Sequence, residues 1–338
     1  MESATPRAMI RAMVQGVRPP RPLLLPIVFS LGARLENVPL RAFLSNPTKI
    51  ASALRQLRGA LALDGVVCYF DPYLEVEALG GEVQWHPDGA SRTLRAGSAD
   101  LDTLRERVPS PGDITQLGRV PAAGEVVRRL KVMLPGEPAL AVSVSGPYAL
   151  AGQLVGEAQP GESTFEDAAE FAAEVAVALC KGFLDAGASV IFLRENASTI
   201  RDPQRWADLL HPVVNVIRFY EALPVLLHAN ASAGPAPIAT TPACEGLTCP
   251  ETICPATIDL RAAARSPQSA ASNSVYLPIQ EVLSSEASTA ALITFLHTVP
   301  PELALGLLTT QDDIAADTDI KRLASLCKTL QGGVRAVL

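Results

Sequence analysis

The chain has 338 residues, enough for one large α/β domain or two ordinary ones. Its net charge of −7 offers no basic footprint for nucleic acid, and no apolar run reaches the roughly 18 residues of a membrane span. Hydrophobic residues make up 48% and charged residues 19%, a mix that suits an interior built from Ala, Leu and Val.

The opening stretch MESATPRAMIRAMVQG has no uninterrupted apolar core, so it does not read as a secretory signal, and a cytoplasmic location is the expectation. Leu23–Phe29 is a first strand candidate. Residues 47–63 read as a helix, with Ile50, Leu54, Leu57 and Leu61 at helical spacing. A short apolar run from Gly65 to Phe70 predicts a buried second strand that ends at Asp71. Residues 81–120, rich in Pro, Gly and Asp, predict a hairpin and an excursion. Leu140–Val144 is the third strand. Residues 164–186 carry the clearest helical stripe, through Phe165, Ala168, Ala172, Val175, Leu179 and Phe183, with Gly187 as its stop. Ser189–Leu193, a helix over 203–222 and a strand over Pro224–His228 follow. Beyond them the pattern weakens. Strands are expected at Ser274–Leu277 and Leu303–Leu308, with helices at Glu286–His297 and Ala315–Leu330. Alternating strands and helices imply parallel strands, either closed into a barrel or doubly wound.

Three segments resemble the uroporphyrinogen decarboxylase superfamily. Phe70-Asp71 runs into Glu77-Ala78-Leu79-Gly80-Gly81-Glu82-Val83, similar to that family's Phe-Asp and Glu-Ala-Leu-Gly-x-Glu-Val. Gly146-Pro147-Tyr148-Ala149-Leu150 is similar to its Gly-Pro-Phe/Trp-Thr-Leu. Asp185-Ala186-Gly187-Ala188-Ser189 resembles its Gly-Ala-Asp strand entry. The three stand in the family's order. The resemblance implies a single distorted (β/α)8 barrel over residues 1–338, with an excursion after the second strand and a cleft at the strand C-termini. It also implies a homodimer.

Two chemistries come with that resemblance. The decarboxylases bind substrate carboxylates with an Arg-Gln-Ala-Gly-Arg loop and use an aspartate after the second strand, a tyrosine after the Gly-Pro segment and a late histidine. Here the loop reads Pro26-Ile27-Val28-Phe29-Ser30-Leu31-Gly32-Ala33-Arg34, so only Arg34 stands in for the arginine pair. Gln153 falls at the tyrosine position, the late Gly-His-Gly is missing and Asp71 is retained. A carboxy-lyase acting on a tetrapyrrole or another multi-carboxylate is the reading this template implies. The methyltransferase branch uses His-x-Cys after a strand and a late Cys to hold zinc, which makes a thiol into a thiolate. Here His228 is present, Asn230 replaces the Cys, and the late Gly-Cys-Gly is replaced near Leu308-Thr309-Thr310-Gln311. A corrinoid, or a corrinoid protein as partner, belongs to this alternative. A barrel that binds a ligand or partner without catalysis is the third.

Asp71 and His228 are therefore the candidate catalytic residues. Arg34, Tyr73, Ser145, Tyr148, Gln153, Glu195 and Asn230 are the candidate ligand contacts. Each has a plainer reading. Asp71 is also a good N-cap for the next helix, Glu75 and Glu77 suit a helix first turn, and Glu195 suits a loop. Gly146 and Pro147 read as turn-shaping residues, and Trp85 and His86 as hairpin surface. Cys244, Cys249 and Cys254, spaced Cys-x4-Cys-x4-Cys, would make a four-ligand metal set with His228, although structural zinc favours closer pairs. The alternative is a loop with small buried thiols. Cys68, Cys180 and Cys327 are expected in the core. Asp71, Ser145, Glu195 and His228 each follow or end a predicted parallel strand, so they should lie at one end of the fold.

Overall fold

The computed structural model describes residues 5–17, 19–87, 89, 92–95, 101–108, 110–156, 163–196, 200, 202–229, 306–310 and 312–336. The expected strand at Ser274–Leu277 and helix at Glu286–His297 lie outside them. So do Asn230 and the three cysteines Cys244, Cys249 and Cys254.

Eight strands are described: β1 (Leu23–Leu24), β2 (Gly65–Tyr69), β3 (Val83–Trp85), β4 (Arg92–Leu94), β5 (Ala139–Ser145), β6 (Val190–Asn196), β7 (Leu223–Ala229) and β8 (Leu307–Leu308). The central sheet runs β2-β5-β6-β7, with every pair parallel. Its strands are continuous apolar runs because both faces are covered, as parallel sheets require. All seven residues of β5 are buried. β1 pairs with β8 in parallel, and the Asp64 amide donates to the Leu24 carbonyl at 3.2 Å, which sets β1 beside β2. Arg21 reinforces that junction with a forked pair to Asp64, at 2.8 and 2.6 Å. The result is an α/β fold of parallel strands consistent with a (β/α) barrel.

Helices connect the parallel strands. α1 (Pro6–Val14), α2 (Phe29–Leu35) and α3 (Leu40–Leu44) lead to α4 (Pro47–Leu61), where the predicted stripe Ile50, Leu54, Leu57 and Leu61 is buried. Each such leucine contributes about 1.5–3 kcal/mol of burial. After β2 come α5 (Leu74–Ala78), the antiparallel β3–β4 hairpin, α6 (Leu101–Arg107), a 3-10 turn and α7 (Val120–Met133). α8 (Pro147–Val155) and α9 (Ser163–Ala186) follow β5, α10 (Pro203–Phe219) follows β6, and α11 (Ile320–Ala336) closes the described chain. Gly187, at φ 115°, ends α9, and its amide bonds back to the Phe183 carbonyl.

The structure departs from the sequence reading in several places, α1 and α8 being helices it did not name. The expected first strand, Leu23–Phe29, is paired only at its first two residues, and Phe29 opens α2. The Asp313 carboxylate accepts from the Phe29 and Ser30 amides, both at 2.8 Å, so a residue far along the chain starts this helix. α7 is a helix that the sequence reading passed over. Its buried Val120, Ala123, Val127 and Leu130 keep helical spacing and are the signal that finds it. The last helix begins at Ile320 rather than Ala315, because Asp319 takes the Lys321 amide at 2.8 Å in the manner of an N-cap. Cys68, Cys180 and Cys327 are buried and free.

Candidate functional site

The C-terminal ends of β2, β5, β6 and β7 lie at one edge of the sheet because the strands are parallel. Ser145 is in register with Arg194, and Glu195 with His228. Asp71, Ser145, Glu195 and His228 thus share one end, as expected. Of the His228 side chain nothing is described.

Asp71 is held on all sides. It lies two residues beyond β2, and its side chain is 0% exposed. One oxygen accepts from the Tyr73 amide at 2.9 Å and pairs with Arg92; the other takes Arg92 Nη1 at 3.1 Å and pairs with Arg119. Arg92 reaches in from β4 and packs between the rings of Tyr73 and Trp85, with centroids at 5.0 and 4.8 Å. It locks the hairpin onto the rim. Arg119, just before α7, also forks onto Glu77 at 3.2 and 2.6 Å and donates to the Tyr69 hydroxyl at 3.1 Å. Burial by itself would weaken the Arg119 charge. Glu77 and Asp71 outweigh burial and raise its pKa above the ordinary value.

The remaining candidates divide between the two faces of the sheet. Glu75 stands in the first turn of α5 with Glu77, as expected. It is buried, and Ser145 donates to it through its amide at 2.9 Å and its hydroxyl at 3.0 Å. Burial raises the Glu75 pKa against those donors. Successive strand residues point to opposite faces. Arg194 accordingly turns toward Phe70, its guanidinium 5.3 Å from the ring centroid, whereas Glu195 turns under the helices. There the Glu195 carboxylate accepts from the Tyr148 and Ala149 amides at 3.3 and 2.8 Å and from the Trp206 indole at 3.2 Å. It serves as the N-terminal cap of α8, taken from a neighbouring strand. Tyr148 also packs in the helix layer, edge-on to Phe165, and its hydroxyl donates to Glu166. Gln153 comes back to the rim and donates to the Pro72 carbonyl at 3.0 Å. Arg34 is exposed and gives its guanidinium to the Ala316 and Thr318 carbonyls at 3.2 and 3.1 Å. The sequence reading missed Arg92, Arg119 and Arg194. Arg194 was the most legible of the three, a cation directly after the apolar run Val190–Leu193 of β6.

The sequence matches the uroporphyrinogen decarboxylase (URO-D) family over residues 5–266. The chain belongs to the URO-D family. No curated protein matches it. A solved methyltransferase from Methanosarcina mazei has the same fold, at a TM-score of 0.66 and 15% identity, over 97% of this chain and 98% of that one. Asp71 is the centre of the buried ionic cluster at the rim. No described helix is long and apolar enough to cross a membrane.

Two buried carboxyls give this URO-D chain a pH signature. Burial pushes Glu195 up to about 7, and its N–H donors limit the rise. Burial likewise pushes Asp313 up to about 7, against its bonds from Ser30 and Phe29. Their unfolded values are about 4. Between these limits the folded state holds more protons than the unfolded one, so stability falls as pH rises. The contribution is complete below about pH 4 and is lost as pH passes about 7. Urea midpoints measured from about pH 5 to about pH 8 should decrease, with a shallower slope in Glu195→Gln. A midpoint that rises over this range contradicts the assignment.

Proposed function

We propose that the protein takes a small multi-carboxylate molecule, of the tetrapyrrole class associated with its family, at the C-terminal rim of the parallel sheet. One observation carries this reading. Asp71, Glu75, Arg92, Arg119 and Arg194 gather at that rim, although burying charge is costly. Buried charge concentrated at a rim of this kind makes it a functional-site candidate. Carboxy-lyase chemistry is the reaction the family relation favours. Both Asp71 oxygens are engaged by arginines, so in that reaction Asp71 acts by fixing Arg92 and Arg119 and does not present a free carboxylate to the ring.

The second reading is methyl transfer involving a corrinoid or a corrinoid-bearing partner. The name of the structural neighbour and the place of His228 near the end of β7 support it. The family's zinc does not fit the donors at those positions: Asn230 is a poor ligand, and both thiolates are replaced. Among the described residues no group of three His, Cys, Asp or Glu could hold a metal. No step is therefore assigned to zinc.

The test joins binding to turnover. Uroporphyrin should shift its absorbance on titration with the protein. Anaerobic uroporphyrinogen should be a poor substrate, because the arginine-pair loop is missing. The absence of any spectral shift would overturn the tetrapyrrole reading. Methylation of a thiol by methylcobalamin, lost on His228→Ala, would establish the second reading instead. Binding without either reaction would assign a non-catalytic role.

A further inference from the structure

Two side chains at the rim keep unused hydrogen-bonding capacity, and both border the segment Phe70–Pro72. Arg194 lies deep in the protein, with a small part of its surface reaching solvent. Its guanidinium stacks on Phe70, and among the described residues no hydrogen bond reaches it. The other rim arginines differ: Arg92 and Arg119 are committed to Asp71 and Glu77. The acidic groups whose charge acts most on Arg194 are Glu75, then Asp312 and Asp71, followed by the Tyr73 hydroxyl. Glu75 is engaged by Ser145, and Asp71 by the two arginines. Gln153 holds the Pro72 carbonyl with its Nε2, yet its Oε1 is buried with no partner among the described residues. A cation stacked on Phe70 and a buried acceptor beside Pro72 thus flank one three-residue segment, and a ligand that pairs with both offsets the cost of burying them. Packing alone would be met by an apolar side chain.

We propose that Arg194 is the anion-recognising residue of the rim, pairing in bidentate fashion with a ligand carboxylate, and that Gln153 Oε1 accepts an N–H from the same ligand. A pyrrole carboxylate is the simplest chemistry that supplies both groups. The proposal deepens the rim reading above and rests on it for the location of the site. It adds the residues that select the ligand, none of which belongs to the arginine-pair loop.

Calorimetric titration with pyrrole-2-carboxylate, furan-2-carboxylate and uroporphyrin tests this. Pyrrole-2-carboxylate should bind the wild type. Arg194→Gln should weaken it by about 10- to 100-fold, the usual worth of a charge-assisted hydrogen bond. Arg194→Lys should recover part of the loss, keeping the charge without the fork. Furan-2-carboxylate, which lacks the N–H, should bind less tightly, and Gln153→Leu should erase that difference. Failure of the wild type to bind pyrrole-2-carboxylate, or unchanged binding by Arg194→Gln, overturns the proposal. A lower melting temperature with binding intact would mark Arg194 as structural and also overturns it. Uroporphyrin separates the two readings. If it binds wild type and Arg194→Gln equally, the rim site stands and the Arg194 assignment falls. If it does not bind at all while pyrrole-2-carboxylate binding is lost in Arg194→Gln, the residue assignment stands and the tetrapyrrole reading falls.

Discussion

Asp71→Ala should lower the unfolding free energy by about 3–5 kcal/mol, the usual cost of breaking a buried ion pair from one side. The loss is large because Arg92 and Arg119 are only 7% and 12% exposed and would keep their charge without their shared counter-ion. Asp71→Asn should cost less, since an amide retains an acceptor for the Tyr73 amide, but it still leaves two guanidiniums facing a neutral group. Urea unfolding supplies the energies. A cycle with Arg92→Met should show strong coupling, because the two side chains share one interaction. Additive losses would mean that the cluster is not a unit. Limited proteolysis gives a local check: the β3–β4 hairpin, which Arg92 anchors to the rim, should become the first site of cleavage in Asp71→Asn. If a carboxy-lyase reaction runs on this rim, Asp71→Asn should also slow it by on the order of a hundredfold or more, through misplaced guanidiniums. Efficient turnover unaffected by the substitution would remove Asp71 from the mechanism.

Gly146→Ala is the second large effect, at about 3–5 kcal/mol, from overpacking plus the loss of charge-assisted hydrogen bonds. Gly146 caps α8 with φ at −73°, so its backbone demands no glycine. Space does. An added Cβ would fall 2.3 Å from Glu195 Oε1, and that carboxylate is buried between the α8 N-terminus and Trp206. The methyl group would push Glu195 off its three donors. Adding Glu195→Ala should relieve the clash, so the double variant should lose less than the sum of the single losses. Strict additivity would show that Gly146 acts independently of Glu195.

The Gly-Pro segment illustrates what could be read in advance. A turn was read from Gly146-Pro147, and the helix after it was passed over although proline suits the first helical turn. The reason for the glycine was not legible, since the carboxylate that needs the room comes from Glu195, 49 residues later. Glu75 gives the same lesson. Its position favours a helix first turn, but burial against Ser145 depends on how α5 packs on β5.

The order of strands and helices was written in local patterns. Apolar runs marked β2, β5, β6 and β7, helical stripes marked α4 and α9, and Gly187 marked the end of α9. These signals are local, so the sequence by itself determined them. Three ordered motifs also determined the family. Only the tertiary structure decided which charges meet. Asp71 joins Arg92 and Arg119 across 21 and 48 residues of sequence. Asp313 starts a helix 284 residues away. Arg194 meets Phe70 across 124 residues of sequence, and Glu75 beside it is taken by Ser145. The physical reason is that hydrophobic periodicity repeats along the chain. An ion pair or an orphan donor depends on distances between segments, and parallel strands set those only once they are aligned.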